Sequence, residues 1–470
     1  MANTNTKNTV FGTRLGFYLA AIGSAFGLGN LWRFPYIVAE NGGGAFVLLY
    51  LFLVFLIGMP FLIAELMLGK ASRSSLVPAL SKLMGQRHQV REMRATESEP
   101  PRWMVFLLRN LGRVSLCLTV VVLAYYAVIS GWVLHFFMQL LVSIFDPEHF
   151  HPESALKVLL DNGWLQLLLT SVHLIVVAVI VGKDLEFGLE KWVGYCMPVF
   201  VVLLIALAVQ SMTLDSAFEA LRFLFYPDFS KLKLESLGQA LGHVFFTLSV
   251  GFGSMVTFGS YLRDKAYLPL AGLRVCTLDS VISLWAGVMI FPLVIYGGSE
   301  FSGPQLLFQT VPRLVTELSG GLWFGVGFFL CLYLAALGAS IGLFETVVAN
   351  WREIRRVPRA RGSAMVGVIC FVLAVGPALS SSIFSGVKVG GRGLLEFLDM
   401  ALINWCLPIT AFLISQVVCW YLKEKLMMEE FIDEKSHGTE KLYRHWIFIL
   451  RYLAGPIVLL ALLLQVIALF

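Results

Sequence analysis

The chain has 470 residues, 58% of them hydrophobic and only 14% charged, with a mean hydropathy of +0.80. An average soluble domain carries about 25% charged residues, so this composition excludes a water-soluble enzyme, a disordered chain and a fibrous protein, and leaves a polytopic membrane protein. The net charge of +5 is weighed against loop topology before any acidic partner is inferred from it.

A helix needs roughly 20 apolar residues to cross a bilayer. Eleven stretches qualify: 14–38, 44–69, 104–143, 164–182, 188–210, 238–263, 270–298, 322–351, 363–383, 395–422 and 446–469. The third and tenth are long enough to project beyond the membrane. With the N-terminus inside, 27 of the 35 Lys and Arg fall on the inner side and seven on the outer, Arg33 lying within the first span. The positive-inside rule therefore predicts a cytoplasmic N-terminus and, after an odd number of spans, a C-terminus outside. The basic balance reads as topology, and no nucleic-acid partner is expected. The polar loop 70–103 reads as a solvated cytoplasmic connection, with a short surface helix over 86–102 as the alternative. The seven cysteines sit in apolar runs without a CxxC pair and read as small buried side chains. No soluble domain is visible, so 1–470 is expected to be a single transmembrane unit.

Two spans violate good helix design. The first contains Ser24-Ala-Phe-Gly-Leu-Gly-Asn30 at mid-depth, and the sixth contains Ser249-Val-Gly-Phe-Gly-Ser254. Glycine in a helix interior costs about 1 kcal/mol per position. Paired glycines beside polar residues predict unwound points, close packing of small residues being the alternative. The breaks lie five spans apart, so the second copy runs in the opposite sense. This predicts an inverted repeat, one half over about 14–210 and the other over about 238–422, with 446–469 extra. Unwound backbone inside a membrane is tolerated only where it is buried or lines a cavity. Its freed carbonyls suit a cation, and its half-helix N-termini suit a carboxylate.

The segment Gly23-Ser-Ala-Phe-Gly-Leu-Gly-Asn-Leu-Trp-Arg-Phe-Pro35, followed by Glu40-Asn-Gly-Gly-Gly-Ala-Phe46 and Glu65-Leu-Met-Leu-Gly69, resembles the first-helix signature of the neurotransmitter:sodium symporter family. Tyr125-Tyr126 through Gly131-Trp132 and Phe245-Phe-Thr-Leu-Ser-Val-Gly-Phe-Gly253 extend the resemblance, which covers spans 1–10 and is similar to the eleven-span bacterial amino-acid transporters with the leucine-transporter fold. The absence of glycosylation sequons agrees with a bacterial inner membrane.

The resemblance implies an all-α fold with helices 1 and 6 broken, sodium-coupled import of an amino acid by alternating access, and no enzymatic activity. It implies a first sodium site from Ala25, Asn30 and Thr247, with Asp279 where the family usually has Asn. From the residues alone, Asn30 and Thr247 are oxygen donors suited to a hard cation, or else interhelical hydrogen-bonding groups. By resemblance, Tyr126 and the amides near Leu28 and Gly29 take the substrate carboxylate, and the Phe246 carbonyl and Ser249 take the amine. Val122, Ile129, Phe246, Phe252, Ala339 and Leu343 would line the side-chain pocket, although such residues read equally well as core. Gly27 stands where monoamine carriers have Asp, which implies an α-amino acid, neutral and hydrophobic or aromatic.

Arg33 and Asp399 resemble an outer gate pair; at the inner gate Tyr261 resembles the family's tyrosine, and Glu353 the acid that partners its N-terminal arginine. The family's inner-gate arginine and following tryptophan are replaced by Asn8 and Phe11, so Lys7 is the candidate cation there. Gly188 and Pro198 have the spacing at which bacterial members unwind the fifth span, a Pro kink being the alternative.

A second sodium site would draw on the carbonyls of Gly23, Phe26 and Ala335. Its two hydroxyl positions are Gly338 and Ala339, which have none. Three protein ligands are too few for a hard cation, so one sodium per substrate is expected, with Phe26 filling part of the space. Asp279 supplies a fixed charge near Ser283 and His243, and a second anion so close would be repelled, so chloride is not required. A proton-coupled or sodium-degenerate transporter is the alternative function, and a channel or sensor a remote one. The residues name neither the particular amino acid nor the oligomeric state.

Overall fold

The computed structural model describes residues 14–84, 102–146, 150–262, 266–298, 306–318, 320–431 and 439–468. Lys7, Asn8 and Phe11, three further residues of the topology count (Arg263, Lys265 and Lys435), and 85–101 lie outside the described residues.

Nine helices among the described residues are long and apolar enough to cross a membrane: Gly44–Ser72, Arg102–Ser143, Gly163–Gly182, Phe187–Ser211, Leu268–Tyr296, Gly321–Arg355, Arg359–Ala378, Leu394–Tyr421 and Thr439–Ile467. Each falls on an expected stretch. The stretches 14–38 and 238–263 are missing from this set because each is cut into short pieces. In chain order the main elements are α1 (Arg14–Ala25), α2 (Phe34–Glu40), α3 (Gly44–Ser72), α4 (Arg102–Ser143), α5 (Gly163–Gly182), α6 (Phe187–Ser211), α7 (Ser236–Thr247), α8 (Ser254–Ser260), α9 (Leu268–Tyr296), α10 (Gly321–Arg355), α11 (Arg359–Ala378), α12 (Leu394–Tyr421) and α13 (Thr439–Ile467). At 42 residues α4 is far longer than a bilayer requires, as expected. The described part of the 70–103 loop holds a short helix, Leu76–Met84, ahead of the charged stretch where a surface helix was weighed. Its Leu80 and Val77 pack on Gly112 of α4.

The packing divides into a frame and an inner group. Helices α4, α5, α10 and α11 pack on one another, while α1 lies against α6, α9 and α10, and α8 lies along α3. Small residues permit these approaches. Gly338 and Gly342 of α10 bring that helix against the backbone of Gly23 and the side chain of Ser24. Gly69 of α3 touches the Val256 carbonyl, and Gly259 of α8 touches the Leu66 carbonyl. This is the small-residue packing that lets helix backbones meet where no hydrophobic force distinguishes protein from lipid. The cysteines are all free, but Cys117 is exposed on the outer face of α4, where the apolar run had suggested burial. That face meets the lipid, so an apolar residue need not be a core residue.

The contact between α3 and α8 has no slack. Gly259→Leu should destabilise the protein by about 2–3 kcal/mol or more, because the new side chain meets backbone that cannot yield. Thermal melting of the detergent-purified protein measures this, and an unchanged midpoint would contradict the packing described.

Candidate functional site

The two helix breaks face each other at the centre of the bundle. In the first, helix α1 stops at Ala25, Phe26 and Gly27 are unwound, and a π-helical turn over Gly29–Arg33 leads into α2. Asn30 caps the break from within, its Oδ1 accepting from the Gly27 amide at 3.3 Å. The Tyr126 hydroxyl of α4 accepts from the Leu28 amide at 2.8 Å. A hydroxyl that accepts in this way still has its proton to give.

The second break spans 248–253, between α7 and α8. Ser249, Gly251 and Gly253 have φ of 52°, 92° and 76°, and only the glycines adopt such values without strain. Neighbouring spans supply the missing hydrogen bonds. Ser115 donates to the Gly251 carbonyl at 2.7 Å, Thr119 to the Phe252 carbonyl at 3.0 Å, and Glu65 accepts from the Gly251 amide at 2.6 Å. The Ser249 hydroxyl donates to the Ser24 carbonyl at 3.0 Å and so ties one break to the other.

Between them lies a small cavity of about 10 Å3, lined by Ser24, Ala25, Gly27, Gly29, Tyr126, Phe246, Thr247, Ser249, Phe252, Ala339 and Leu343. Eight of the eleven residues assigned to substrate in the sequence line it. Leu28, Val122 and Ile129 are buried but do not. A Cβ at position 27 would come within 2.7 Å of both the Tyr126 hydroxyl and the Ala339 methyl, so no side chain fits there without rearrangement.

Beside the cavity is an oxygen-rich cluster. Asn30 donates to Asp279 Oδ1 at 2.7 Å and to Ser283 at 2.9 Å, and Tyr50 donates to Asp279 Oδ2 at 2.9 Å. The Thr247 hydroxyl points back to its own helix, 3.1 Å from the His243 carbonyl, which leaves its lone pairs free. No group of three or more His, Cys, Asp or Glu gathers among the described residues. The donor set is one carboxylate with neutral oxygens, which suits a hard monovalent cation rather than a transition metal. Sequence reasoning missed Tyr50, whose isolated hydroxyl in an apolar run gave no signal. It also missed Ser115 and Thr119, although a Ser and a Thr four apart in an apolar span could have suggested a polar stripe.

The residues assigned to a second cation site are arranged differently. The space over Gly338 is bounded by the Gly23 carbonyl, 2.8 Å from a Cβ built there, and by the Met197 methyl of α6 at 2.9 Å. The Phe26 ring lies 6.2 Å from that of Phe200, on the same helix as Met197. Ser340 turns away and bonds His173 of α5 at 2.9 Å.

Above the cavity, Arg33 bonds both oxygens of Asp399 at 2.9 and 3.0 Å and Asn404 at 2.8 Å, while Tyr125 donates to Asp399 at 3.1 Å. The guanidinium lies 5.8 Å over the Phe246 ring. A vestibule of about 270 Å3, lined by Trp32, Tyr36, Glu40, Arg392 and Glu396 among others, opens beyond this pair. At the opposite end, Tyr261 donates to Glu345 at 2.8 Å, and Glu345 forms a buried ion pair with Arg359. Glu353 accepts from the Ser75 amide at 3.0 Å. In α6 a π-helical turn over Glu186–Glu190 includes Gly188, while the helix runs unbroken through Pro198.

The sodium:neurotransmitter symporter family model matches residues 8–149 and 149–470. The chain is 30% identical to a sodium-dependent transporter of Haemophilus influenzae over 91% of this chain and 93% of that one. It is 29% identical to the sodium-dependent transporter YhdH of Bacillus subtilis over 95% of each. Among solved structures, MhsT in complex with L-phenylalanine matches 97% of this chain and 99% of its own with a TM-score of 0.85 at 32% identity. The chain therefore belongs to the sodium:neurotransmitter symporter family, whose members are transporters, and is a multi-pass membrane protein of the same fold as MhsT.

The geometry of the outer pair yields an expectation. Asp399→Asn leaves the Arg33 guanidinium buried opposite a neutral group, a change that costs about 3–5 kcal/mol in a buried pair. Opening towards the vestibule relieves it by hydrating Arg33. A cysteine introduced at Leu343 should react faster with an externally added, membrane-impermeant thiol reagent in the Asp399→Asn background. Equal rates in both backgrounds would mean that the pair does not hold this side shut.

Proposed function

We propose that the protein is a sodium-coupled importer of a neutral, hydrophobic or aromatic α-amino acid. The observation that carries this reading is the composition of the central cavity. The Tyr126 hydroxyl and the Leu28 amide meet at its wall, with Phe246, Phe252, Ala339 and Leu343 among the apolar residues of the lining. A carboxylate satisfies the polar end, and an apolar side chain satisfies the rest. The lack of room at Gly27 supports the same reading, because an acid there, able to pair with an amine lacking a carboxylate, would collide with Tyr126. The L-phenylalanine complex of MhsT is consistent with it.

In this reading Ala25, Asn30, Thr247 and Asp279 hold one sodium ion, and the Phe246 carbonyl and Ser249 receive the amine. The two breaks belong to inverted halves of one transmembrane unit. The group formed by α1, α2, α3, α7, α8 and α9 moves against the frame, and Arg33–Asp399 and the Tyr261–Glu345–Arg359 cluster close the two ends in turn. The distribution of Lys and Arg supports a cytoplasmic N-terminus and an outer C-terminus, and the absence of glycosylation sequons is consistent with a bacterial inner membrane.

Saturable uptake of phenylalanine or leucine into proteoliposomes, driven by an inward sodium gradient, tests the function directly. Uptake that proceeds without a gradient, as through a channel, would overturn it. Tyr126→Phe should weaken amino-acid binding by about 1–3 kcal/mol, since a buried carboxylate oxygen loses its donor. Decarboxylated amines should bind far more weakly than the acids, and full affinity in the mutant would sink the carboxylate assignment.

Asp279 bears on the anion. Its carboxylate occupies the Tyr50 hydroxyl and, through Asn30, stands next to Ser283. A second negative charge there would be repelled in a medium of low dielectric. Uptake should be unchanged when gluconate replaces chloride, and Asp279→Asn should introduce a chloride requirement. A clear loss of wild-type uptake in gluconate refutes this.

The Met197 methyl supports coupling to a single sodium, because it shares the space over Gly338 with the Gly23 carbonyl, where a second ion would need oxygen. The sodium dependence of substrate binding in detergent should give a Hill coefficient near one, unaltered by Ser340→Ala. A coefficient near two would show that a second site operates.

A further inference from the structure

The cytoplasmic half of α6 has two unlike faces. Val193 and Met197 pack against Gly23 of α1, and Glu190 reaches Gly16. The other face carries Phe187, Lys191, Trp192, Tyr195, Cys196 and Val199, positions that recur at intervals of three to four and so share one side of the helix. This side lines a cavity of about 500 Å3, completed by Lys183 at the end of α5 and Leu334 of α10. Phe187 is 64% exposed, Tyr195 68% and Val199 50%. The cavity therefore opens sideways from the bundle, where lipid lies, and it is separate from the central site.

Its chemistry is graded along its length. Lys183 and Lys191 stand at the end of the bundle that carries the basic excess, and neither forms an ion pair among the described residues. The acid nearest in sequence to Lys191, Glu190, is turned towards α1. Trp192 and Tyr195 follow at the depth where amphipathic rings meet a membrane surface. From Lys191 to Val199 the helix rises about 12 Å, and the wall becomes wholly apolar at Val199 and Leu334. Two free cations at the mouth, aromatic rings at the shoulder and an apolar floor match a molecule with an anionic head and a hydrocarbon tail.

We infer that this cavity is a binding site for an anionic glycerophospholipid, with the phosphate between Lys183 and Lys191 and an acyl chain along Tyr195, Val199 and Leu334. The inference rests on the membrane-spanning reading of α5, α6 and α10 and is independent of the amino acid carried. A lipid seated here lies behind the π-helical turn at Glu186–Glu190, on the side away from α1. It braces that turn against α1, so its occupancy bears on how readily the cytoplasmic half of α6 leaves its place.

The test uses the full-length protein in detergent and counts bound lipid by native mass spectrometry during titration with dioleoyl-phosphatidylglycerol, dioleoyl-phosphatidylcholine or glycerol 3-phosphate. The wild type should retain phosphatidylglycerol in preference to phosphatidylcholine and should not retain glycerol phosphate, which has the head without the tail. Lys183→Gln with Lys191→Gln should weaken phosphatidylglycerol retention about thirtyfold, and Lys183→Arg with Lys191→Arg should restore it. Val199→Trp, which obstructs the apolar end, should weaken it while both lysines remain. A melting midpoint within a degree or two of wild type separates each variant from a misfolded one. Equal retention of the two lipids, or retention unaffected by the glutamine pair, overturns the proposal. Neither readout measures uptake, so its failure is distinct from a failure of the amino-acid assignment.

Discussion

Everything in this protein follows from the need to satisfy unwound backbone at the centre of a membrane. Each polar backbone group left without a partner there costs several kcal/mol. Two breaks would expose several such groups. The structure meets the cost with side chains from elsewhere: Ser115 and Thr119 of α4, Glu65 of α3, Tyr126 of α4, and Asn30 and Ser249 from the breaks themselves. These helices must therefore lie where they do. Two of these groups, Tyr126 and Ser249, also line the cavity, so the stabilising network and the proposed binding site overlap there. A carboxylate or a cation that enters can take over bonds already arranged for it, with little reorganisation.

Each break also leads to a buried charge pair at one end of the central cavity. Arg33 follows directly on the unwound turn, and its guanidinium reaches Asp399 and Asn404 of α12 while covering Phe246. At the other end, Tyr261 follows α8 and reaches the Glu345–Arg359 pair. A charge pair buried in low dielectric tolerates little intermediate separation, because partial opening loses the Coulomb attraction before water restores solvation. Such pairs give two-position behaviour, which suits an alternating gate better than an apolar plug of the same size.

Two departures from the family pattern turn on single side chains. Asp279 places a carboxylate where a neutral amide is usual, and the surroundings adapt, Asn30 and Tyr50 both donating to it. Gly338 removes a hydroxyl, and the space is closed by the methyl of Met197. A flexible thioether fills an irregular gap of this kind well. Its dispersion contacts add to the packing of α1 against α10.

The spans, the two breaks and the residues of the central cavity were legible in the sequence because they rest on local rules. Twenty apolar residues make a spanning helix in any context, and Gly27-Leu-Gly29 and Gly251-Phe-Gly253 weaken a helix wherever they occur. Gly27, Tyr126, Phe246 and Ala339 could be assigned to one cavity because the motifs around them carry the family resemblance. Which partner each buried polar group takes was not legible. Tyr261 bonds Glu345, Ser340 bonds His173, and Met197 faces Gly338. Glu345 and Glu353 lie eight residues apart on one helix, a little over two turns, so which acid stands level with Tyr261 depends on how α8 and α10 are set along one another. Such choices are made by the distance and rotation between helices, which depend on all the small residues at every crossing together. The sequence by itself determined where the apolar spans lie and where the helices fail; only the tertiary structure decided which side chains meet across the gap, because those meetings are set by packing between segments far apart in the chain, Tyr261 and Glu345 by 84 residues and Ser340 and His173 by 167.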